Sequence, residues 1–166
     1  MSTPAWRALT GLIQSEQSLL TLKRELLKVC GIEIRGNEAI LAVAESKAQS
    51  ITHLPLETKK IAFEDDDDSN HVKSFFSLIK DFVHDNHIDR IAIKKRGRKG
   101  EYAGGPTSFK IEGIIQLLDN CDVSLLSPQT ISAANKKDGF DLPNLLNKYQ
   151  HEAFLTARAE ITKPRK

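Results

Sequence analysis

Residues 28–45, with the sequence KVCGIEIRGNEAILAVAE, decide the fold of this chain. The first half, 28–35, is β-branched and apolar with its charges placed late, and the second half, 38–45, is an apolar run of strand length. Gly36 and Asn37 stand between the halves, and this pair suits a tight turn because both residues tolerate a positive φ. The stretch therefore predicts a β-hairpin.

A third strand and a long helix are predicted downstream of the hairpin. Residues 46–57 are polar and contain a proline, which is typical of a loop, and residues 59–64 (KKIAFE) predict the third strand. An acidic run, 65–68, then leads into the clearest helical periodicity of the chain. The run lacks the spacing of a calcium loop, and the helix dipole favours negative charge there. We therefore interpret it as a solvated helix entry rather than a metal site.

Two strand–helix units and a last helix complete the pattern. The strands are predicted at 90–95 and 122–126. The helices are predicted to begin at Thr107 or Ser108, at Ser127 followed by Pro128, and at Asn144. The second of them is expected to end at residue 134 and to be followed by a loop at 135–143. Strands connected through helices run parallel by a right-handed crossover, so an antiparallel meander is predicted to continue into a parallel pair.

Composition places the chain among ordinary globular domains. It has 166 residues, 40% of them hydrophobic, and a formal net charge of +2, so a signal for a polyanionic partner must be local rather than global. The two cysteines, Cys30 and Cys121, lie in or beside apolar runs and are unclustered, which favours reduced thiols in a cytoplasmic protein. No apolar run approaches the ~20 residues of a membrane span, and we expect neither a signal peptide nor a membrane partner.

The opening hairpin resembles that of the RuvC-type resolvases, in which a GID motif places a metal-binding carboxylate on the central strand. The fuller string, in residues 29–34, 91–118 and 123–131, resembles a family of short proteobacterial proteins of unassigned function. The resemblance implies a ribonuclease H-like α/β fold. Its sheet would be mixed and five-stranded, a three-strand antiparallel meander plus two parallel strands, with helices on both faces.

The resemblance also suggests a division of the chain. It begins just before the first strand and covers roughly residues 28–160. We therefore expect residues 1–27 to be an N-terminal extension, either helical or not native, residues 28–162 to be the ribonuclease H-like domain, and 163–166 to be a basic tail.

Three acids are candidates for a catalytic site. Nucleases of this fold hold two divalent metals with carboxylates, so the resemblance implies Mg²⁺ or Mn²⁺ bound by Glu33 and Glu152. Glu33 stands on the first strand, where those families keep an aspartate, and Glu152 lies in HEAFLTARA, which resembles the acid–alanine signature of the last resolvase helix. Glu112 follows in the first turns of a helix. The alternative for each is a solvated surface acid.

The chain departs from the resolvase pattern at two places. Lys94 and Lys95 stand where RuvC-type enzymes carry an acid, and Tyr149 stands where they carry a further acid on the last helix. A charged lysine cannot ligate a metal, but it can hold a phosphate or pair with Glu33. These departures weigh against two-metal chemistry and favour a metal-free anion site or a site without catalysis.

A basic, glycine-rich loop is the strongest local signal for a ligand. It places five cations in six residues, after a strand and before a helix, at the edge where ligands of α/β sheets bind. The predicted phosphate-binding residues are Lys94, Lys95, Arg96, Arg98, Lys99, Gly104, Gly105, Ser108 and Gln129. Tyr102 is positioned to stack on a base. The alternative is a solvated loop with no ligand.

These observations predict a ribonuclease H-like protein that acts on nucleic acid, either as a divalent-metal phosphodiesterase or as a binding module with a degenerate site. A small phosphate- or nucleotide-binding regulator is a further alternative, since actin-like ATPases share the core. A homodimer is expected by analogy alone.

Overall fold

The computed structural model describes residues 4–137 and 139–164, and for residues 19–25 it describes the backbone alone. The strands are β1 (Leu27–Arg35), β2 (Glu38–Lys47), β3 (Ser50–Leu54), β4 (Lys60–Ala62), β5 (Arg90–Lys94) and β6 (Asp122–Leu126). The helices are α1 (Ala5–Glu25), α2 (Ser69–Asp85), α3 (Pro106–Gln116), α4 (Pro128–Lys136) and α5 (His151–Thr162), the last preceded by a 3₁₀ turn, Lys148–Gln150.

The sheet is mixed, as predicted, with β1 at its centre. The strand order is β3-β2-β1-β5-β6, in which β1, β2 and β3 pair antiparallel while β1, β5 and β6 pair parallel. The short strand β4 pairs with the first half of β2 and makes the sheet six-stranded. The prediction of five strands was therefore wrong by one, although the meander and the parallel pair are confirmed.

The strand that was not predicted is β3, which lies within the segment expected to be a loop. β3 pairs with β2 through a tight turn in which Ala48 has a φ of 47° and Gln49 a φ of 67°. Neither residue is typical of a left-handed turn, so no local pattern predicts a hairpin at this position. The segment predicted as the third strand contributes β4, which covers only three of its residues.

Helices cover both faces of the sheet, as predicted. On one face, α2 and α3 pack against Cys30, Ile32 and Ile34 of β1. On the other face, α4 and α5 pack against Val29 of β1 and Ala92 of β5. Because side chains alternate along a strand, Glu33 and Lys94 point to the α5 face.

Gly31 sets the distance between β1 and α5. A Cβ at this position would collide with the carbonyl oxygen of Ala153 and would lie 2.7 Å from the backbone nitrogen of Ala157. The helix backbone therefore rests directly on the central strand, with the small side chains of Ala153 and Ala157 fully buried. This close packing brings the first turn of α5 to the end of the sheet that carries Glu33.

The residues that cap the helices differ in part from those predicted. Gly105, not Thr107 or Ser108, is the N-cap of α3, because Pro106 takes the first helical position. The last helical segment is capped by Asn147, through a reciprocal bond with Gln150, rather than by Asn144. Ser127 caps α4 as predicted, accepting a hydrogen bond from the backbone of Thr130, although the helix runs on to Lys136.

Cys30 is buried and Cys121 is half-buried, and both are free thiols. Burial raises the pKa of both thiols, that of Cys121 to about 11 with a further contribution from the Asp122 carboxylate.

Among the described residues, no helix is both long enough and apolar enough to cross a membrane.

We expect Gly31→Ala to destabilise the fold by about 3 kcal/mol, near the top of the usual range for overpacking, because α5 must move off β1. Gly113→Ala is the matched control. Gly113 lies in α3 with nothing within 4 Å of a new Cβ, so alanine there should stabilise by about 0.5–1 kcal/mol. Urea unfolding of both variants measures the difference, and equal stability of the two would contradict the close contact.

We expect the double variant Ala48→Asn, Gln49→Gly to raise the free energy of unfolding by about 1–2 kcal/mol, because it relieves two left-handed residues in the β2–β3 turn. The measurement is again urea unfolding. An unchanged midpoint would show that residues 46–57 form a loop after all.

Candidate functional site

Lys94 lies between two of the predicted acids. β1 and β5 are parallel and in register at Ile32 and Ile93, so Glu33 and Lys94 are neighbours one step further along. The Nζ atom of Lys94 lies 2.8 Å from Oε2 of Glu152 on α5, a charge-assisted hydrogen bond, and 3.9 Å from Oε1 of Glu33. One ammonium group therefore holds the strand acid and the helix acid together.

Glu33 is balanced by a second cation. Its side chain is only 9% exposed, and the guanidinium of Arg35 lies 3.0 Å from its Oε2 atom, an ion-pair distance without hydrogen-bond geometry. The charge of a buried carboxylate has to be compensated, and here Lys94 and Arg35 provide the compensation from two sides. Glu152 is more open, with a side chain 40% exposed.

Glu112 does not join this cluster. It lies on α3, which packs on the opposite face of the sheet, and it is buried with its Oε2 atom lacking a hydrogen-bond partner among the described residues. Within the part of the chain that the structure describes, a single trio of acids, Asp65–Asp67, has its ligand atoms all within 4.8 Å of one another. The three predicted catalytic acids therefore do not form a carboxylate trio.

This arrangement does not fit the divalent metals that nucleases of this fold use. The space between Glu33 and Glu152 is filled by the ammonium of Lys94, and the third acid is on the other face. A cation site needs carboxylate oxygens free to ligate, whereas two of the oxygens here already face a lysine.

The acidic run has a structural role at two helix entries. Asp68 caps α2 by accepting a hydrogen bond from the backbone of Asn70. Asp66 accepts a hydrogen bond from the Thr107 hydroxyl at 3.3 Å and pairs with Lys110 at 3.3 Å, which ties the run to the first turn of α3. The sequence predicted a solvated entry to α2 and missed the link to α3, because a contact so distant along the chain leaves no local pattern.

The basic loop is folded by its own backbone. Gly97 and Ala103 form a bridge, the Gly104 nitrogen donates to the Gly97 carbonyl at 2.8 Å, and Gly100 makes the turn with a φ of 93°. Arg96 donates from Nη1 to the carbonyl oxygen of Ile34 at the end of β1. The loop is therefore anchored at its base, and its residues 98–102 form an exposed tip.

The predicted phosphate-binding residues separate into exposed and anchoring groups. Lys95, Arg98, Lys99, Gly105 and Gln129 are exposed, whereas Lys94, Arg96 and Gly104 are half-buried. Ser108 is buried, and its hydroxyl already donates to the Gly105 carbonyl at 2.7 Å. Tyr102 is 91% exposed at the tip. The predicted residues that are exposed to a ligand are thus those of the loop tip, together with Lys95, Gly105 and Gln129.

A pocket of about 350 Å³ opens beside the Lys94–Glu152 pair, and the sequence did not predict it. It lies against α4 and α5 and is covered by the segment after α4. Ser132, Asn135, Phe140 and Leu142 line it together with the ion pair. Phe140 and Leu142 were assigned to a loop, although two apolar residues in a loop of nine are a signal that the segment docks on the domain.

The fold is similar to that of solved RuvC resolvases. Thermus thermophilus RuvC superposes with a TM-score of 0.65 at 10% identity, covering 82% of this chain and 94% of that one. T. thermophilus RuvC in complex with a Holliday junction substrate gives a TM-score of 0.56 at 12% identity, covering 82% and 93%. With the sheet order described above, this likeness defines the class: the protein has a ribonuclease H-like fold.

The family follows from the sequence. The model of the family described as "Protein of unknown function (DUF3010)" matches residues 27–160, and the chain belongs to that family. The predicted membership of a family of unassigned function with distant similarity to RuvC is therefore confirmed. No curated protein matches the chain by sequence.

We expect Lys94→Glu to create a divalent-cation site, because it replaces the shared ammonium by a third carboxylate between Glu33 and Glu152. At about 100 times its Kd, Mn²⁺ should stabilise the variant by about 2.7 kcal/mol, which raises the Tm by on the order of 5–10 °C. Thermal unfolding with and without Mn²⁺ measures the shift.

Lys95→Glu is the matched control, since it makes the same change of charge at an exposed neighbour outside the cluster. Its Tm should not respond to Mn²⁺, and neither should that of the wild type. A wild-type response equal to that of Lys94→Glu would contradict the role given to Lys94.

Proposed function

We propose that this protein binds nucleic acid through the basic loop that follows β5, without using a divalent metal. The observation that carries the proposal is the position of Lys94, which takes the place between two acids that a cation would need. The same lysine begins the run of cations that ends at the exposed tip of the loop. Lys94 thus occupies the place of a metal at the base of the loop, and the charge that remains for an anion lies at the exposed tip.

Charge supports a phosphate-bearing partner. Lys95, Arg98 and Lys99 are exposed, and the structure gives them no ion-pair partner among the described residues, so their charge is available to a ligand. Each phosphate neutralised by such a cation releases a counterion, which is the main source of affinity in binding to a nucleic-acid backbone. The acids at the base of the loop are already paired and do not repel a phosphate at the tip.

The exposed ring of Tyr102 favours a nucleic-acid partner whose bases are unpaired and accessible. Tyr102 projects from the same tip as Arg98 and Lys99, with 91% of its surface exposed. A cationic surface with an aromatic side chain is the usual combination in proteins that bind single-stranded nucleic acid, because any base can stack on the ring. The T. thermophilus RuvC structure with a Holliday junction shows that a protein of this fold can hold a DNA substrate, and this is support by analogy.

We expect the triple variant Lys95→Gln, Arg98→Gln, Lys99→Gln to lose affinity for single-stranded and branched DNA at low salt. For duplex arms, the slope of log K against log salt should fall in magnitude by about 0.9 for each contact removed. Fluorescence anisotropy over a range of salt concentrations measures both quantities.

The matched control is Lys47→Gln, Lys59→Gln, Lys73→Gln, which removes three exposed cations elsewhere on the chain. It should keep the affinity and the salt slope of the wild type if the loop is the binding surface. Equal losses of DNA affinity in the two triple variants would show that the interaction depends on net charge alone. Saturable binding of a nucleotide with no affinity for DNA or RNA would favour a small nucleotide-binding regulator instead.

A metal-dependent phosphodiesterase is the second candidate, and one observation favours it. Glu112 keeps a buried carboxylate oxygen with no hydrogen-bond partner among the described residues, and a bound Mg²⁺ or Mn²⁺ would satisfy that atom. The test is a cleavage assay on single strands, duplexes, hybrids and branched DNA with either ion, with Glu112→Gln and Glu33→Gln beside the wild type. Metal-dependent cleavage that either variant loses would replace the binding proposal by this one.

A further inference from the structure

The pocket beside the Lys94–Glu152 pair has the chemistry of a small ligand site. Its volume of about 350 Å³ lies at the lower end of the range for pockets that hold organic ligands. One part of its lining is apolar, with Ile131, Leu142 and Leu155, and another is polar, with Ser132 and Asn135. A mixed lining of this kind suits a flat ring with hydrogen-bonding edges.

Two cations border the same pocket. Lys94 lies at one end, where its ammonium already serves Glu152, and Lys136 lies at the last turn of α4. Lys136 is exposed and makes no ion pair with any residue that the structure describes. A phosphate group attached to the ring would therefore meet an uncompensated positive charge at Lys136.

The ring of Phe140, which forms the aromatic wall of the pocket, is packed against Arg158. The guanidinium carbon of Arg158 lies 3.3 Å from the centroid of the Phe140 ring, a cation–π contact by a side chain that is itself buried. Because one face of the ring is covered, Phe140 can offer a ligand only its other face or its edge. The contact also fixes the segment that covers the pocket onto α5.

Asn135 is oriented by its own hydrogen bonds. Its Nδ2 atom donates to the carbonyl oxygens of Ile131 at 2.7 Å and of Leu155 at 3.0 Å. The two donor positions are thus used by the fold, and the Oδ1 atom accepts no hydrogen bond from the described residues. That oxygen is available as an acceptor for a ring N–H or an amino group.

We propose that this pocket binds one nucleotide, with its base against the apolar wall and Phe140, and its phosphate near Lys136. The inference deepens the proposed function and rests on it for the source of the nucleotide, which is an unpaired residue of a bound strand. Unstacked bases are recognised in this way, by apolar and aromatic walls and by hydrogen bonds to their edges. The shared ammonium of Lys94 links this pocket to the basic loop.

The test compares a duplex DNA that carries one unpaired thymidine with the same duplex carrying an abasic residue at that position. The wild type should bind the thymidine duplex about five- to hundredfold more tightly, the range expected for stacking one base in a protein site. Ser132→Phe, which fills the pocket from α4, should remove this preference. Ala133→Phe adds the same bulk one residue along the helix, outside the lining, and should retain it.

A second variant keeps the test valid if Ser132→Phe does not fold. Lys136→Gln changes an exposed side chain, and it should weaken binding of the thymidine duplex more than that of a fully paired duplex. Thermal unfolding of each variant shows that it is folded. Thymidine monophosphate, titrated alone by calorimetry, distinguishes a free nucleotide from one in a strand.

Each outcome decides between the two proposals. Equal affinity of the wild type for the thymidine and abasic duplexes, with DNA binding retained, overturns the pocket and leaves the proposed function standing. Binding of thymidine monophosphate that Ser132→Phe abolishes, without any DNA binding, keeps the nucleotide pocket and overturns the proposed function. Binding of neither DNA nor thymidine monophosphate overturns both.

Discussion

The backbone of α5 rests on the central strand at Gly31, where the strand has no side chain, and the geometry of the candidate site depends on this contact. If β1 carried any side chain there, the helix would lie further from the sheet, and Glu152 would no longer reach Lys94. The alanines that face the strand, Ala153 and Ala157, are small for the same reason. Packing between one strand and one helix thus sets a distance between charges that are far apart in sequence.

The charges at that place form a nearly neutral, internally satisfied group. Two acids of like sign, one of them buried, would repel each other and lose hydration, and the ammonium of Lys94 offsets both effects. In a metal-dependent site a divalent ion provides this compensation from solution. Here the compensating charge belongs to the chain itself, as the ammonium of Lys94, so the two acids are balanced without an ion. The positive charge that no described acid balances lies further out, on the tip of the basic loop.

Local patterns in the sequence were sufficient for much of the fold. The hairpin at 28–45, the helical spacing before Val83 and the Ser127–Pro128 cap are each set by neighbouring residues, and each is present in the structure. The strand β3 was missed because its turn uses Ala48 and Gln49, which adopt left-handed backbone angles under the constraint of pairing rather than by preference. A tertiary constraint of that kind has no local signature.

The site could be predicted in its parts but not in its arrangement. Glu33, Lys94 and Glu152 were all identified from sequence, and the suggestion that a lysine pairs with Glu33 agrees with their geometry. Glu112 was grouped with them because it is acidic and near a helix start, whereas α3 packs on the other face of the sheet. The pocket at Phe140 depends on how a loop docks, which requires the three-dimensional structure.

We propose that Lys94 takes the place of a divalent cation in a site that binds nucleic acid. The most direct measurement is the affinity of the intact chain for branched and single-stranded DNA, first in EDTA and then in Mg²⁺ or Mn²⁺ at the same ionic strength. We expect equal affinity in both conditions and intact DNA after incubation with either ion. Binding that requires the ion, or cleavage that appears with it, would contradict this role of Lys94.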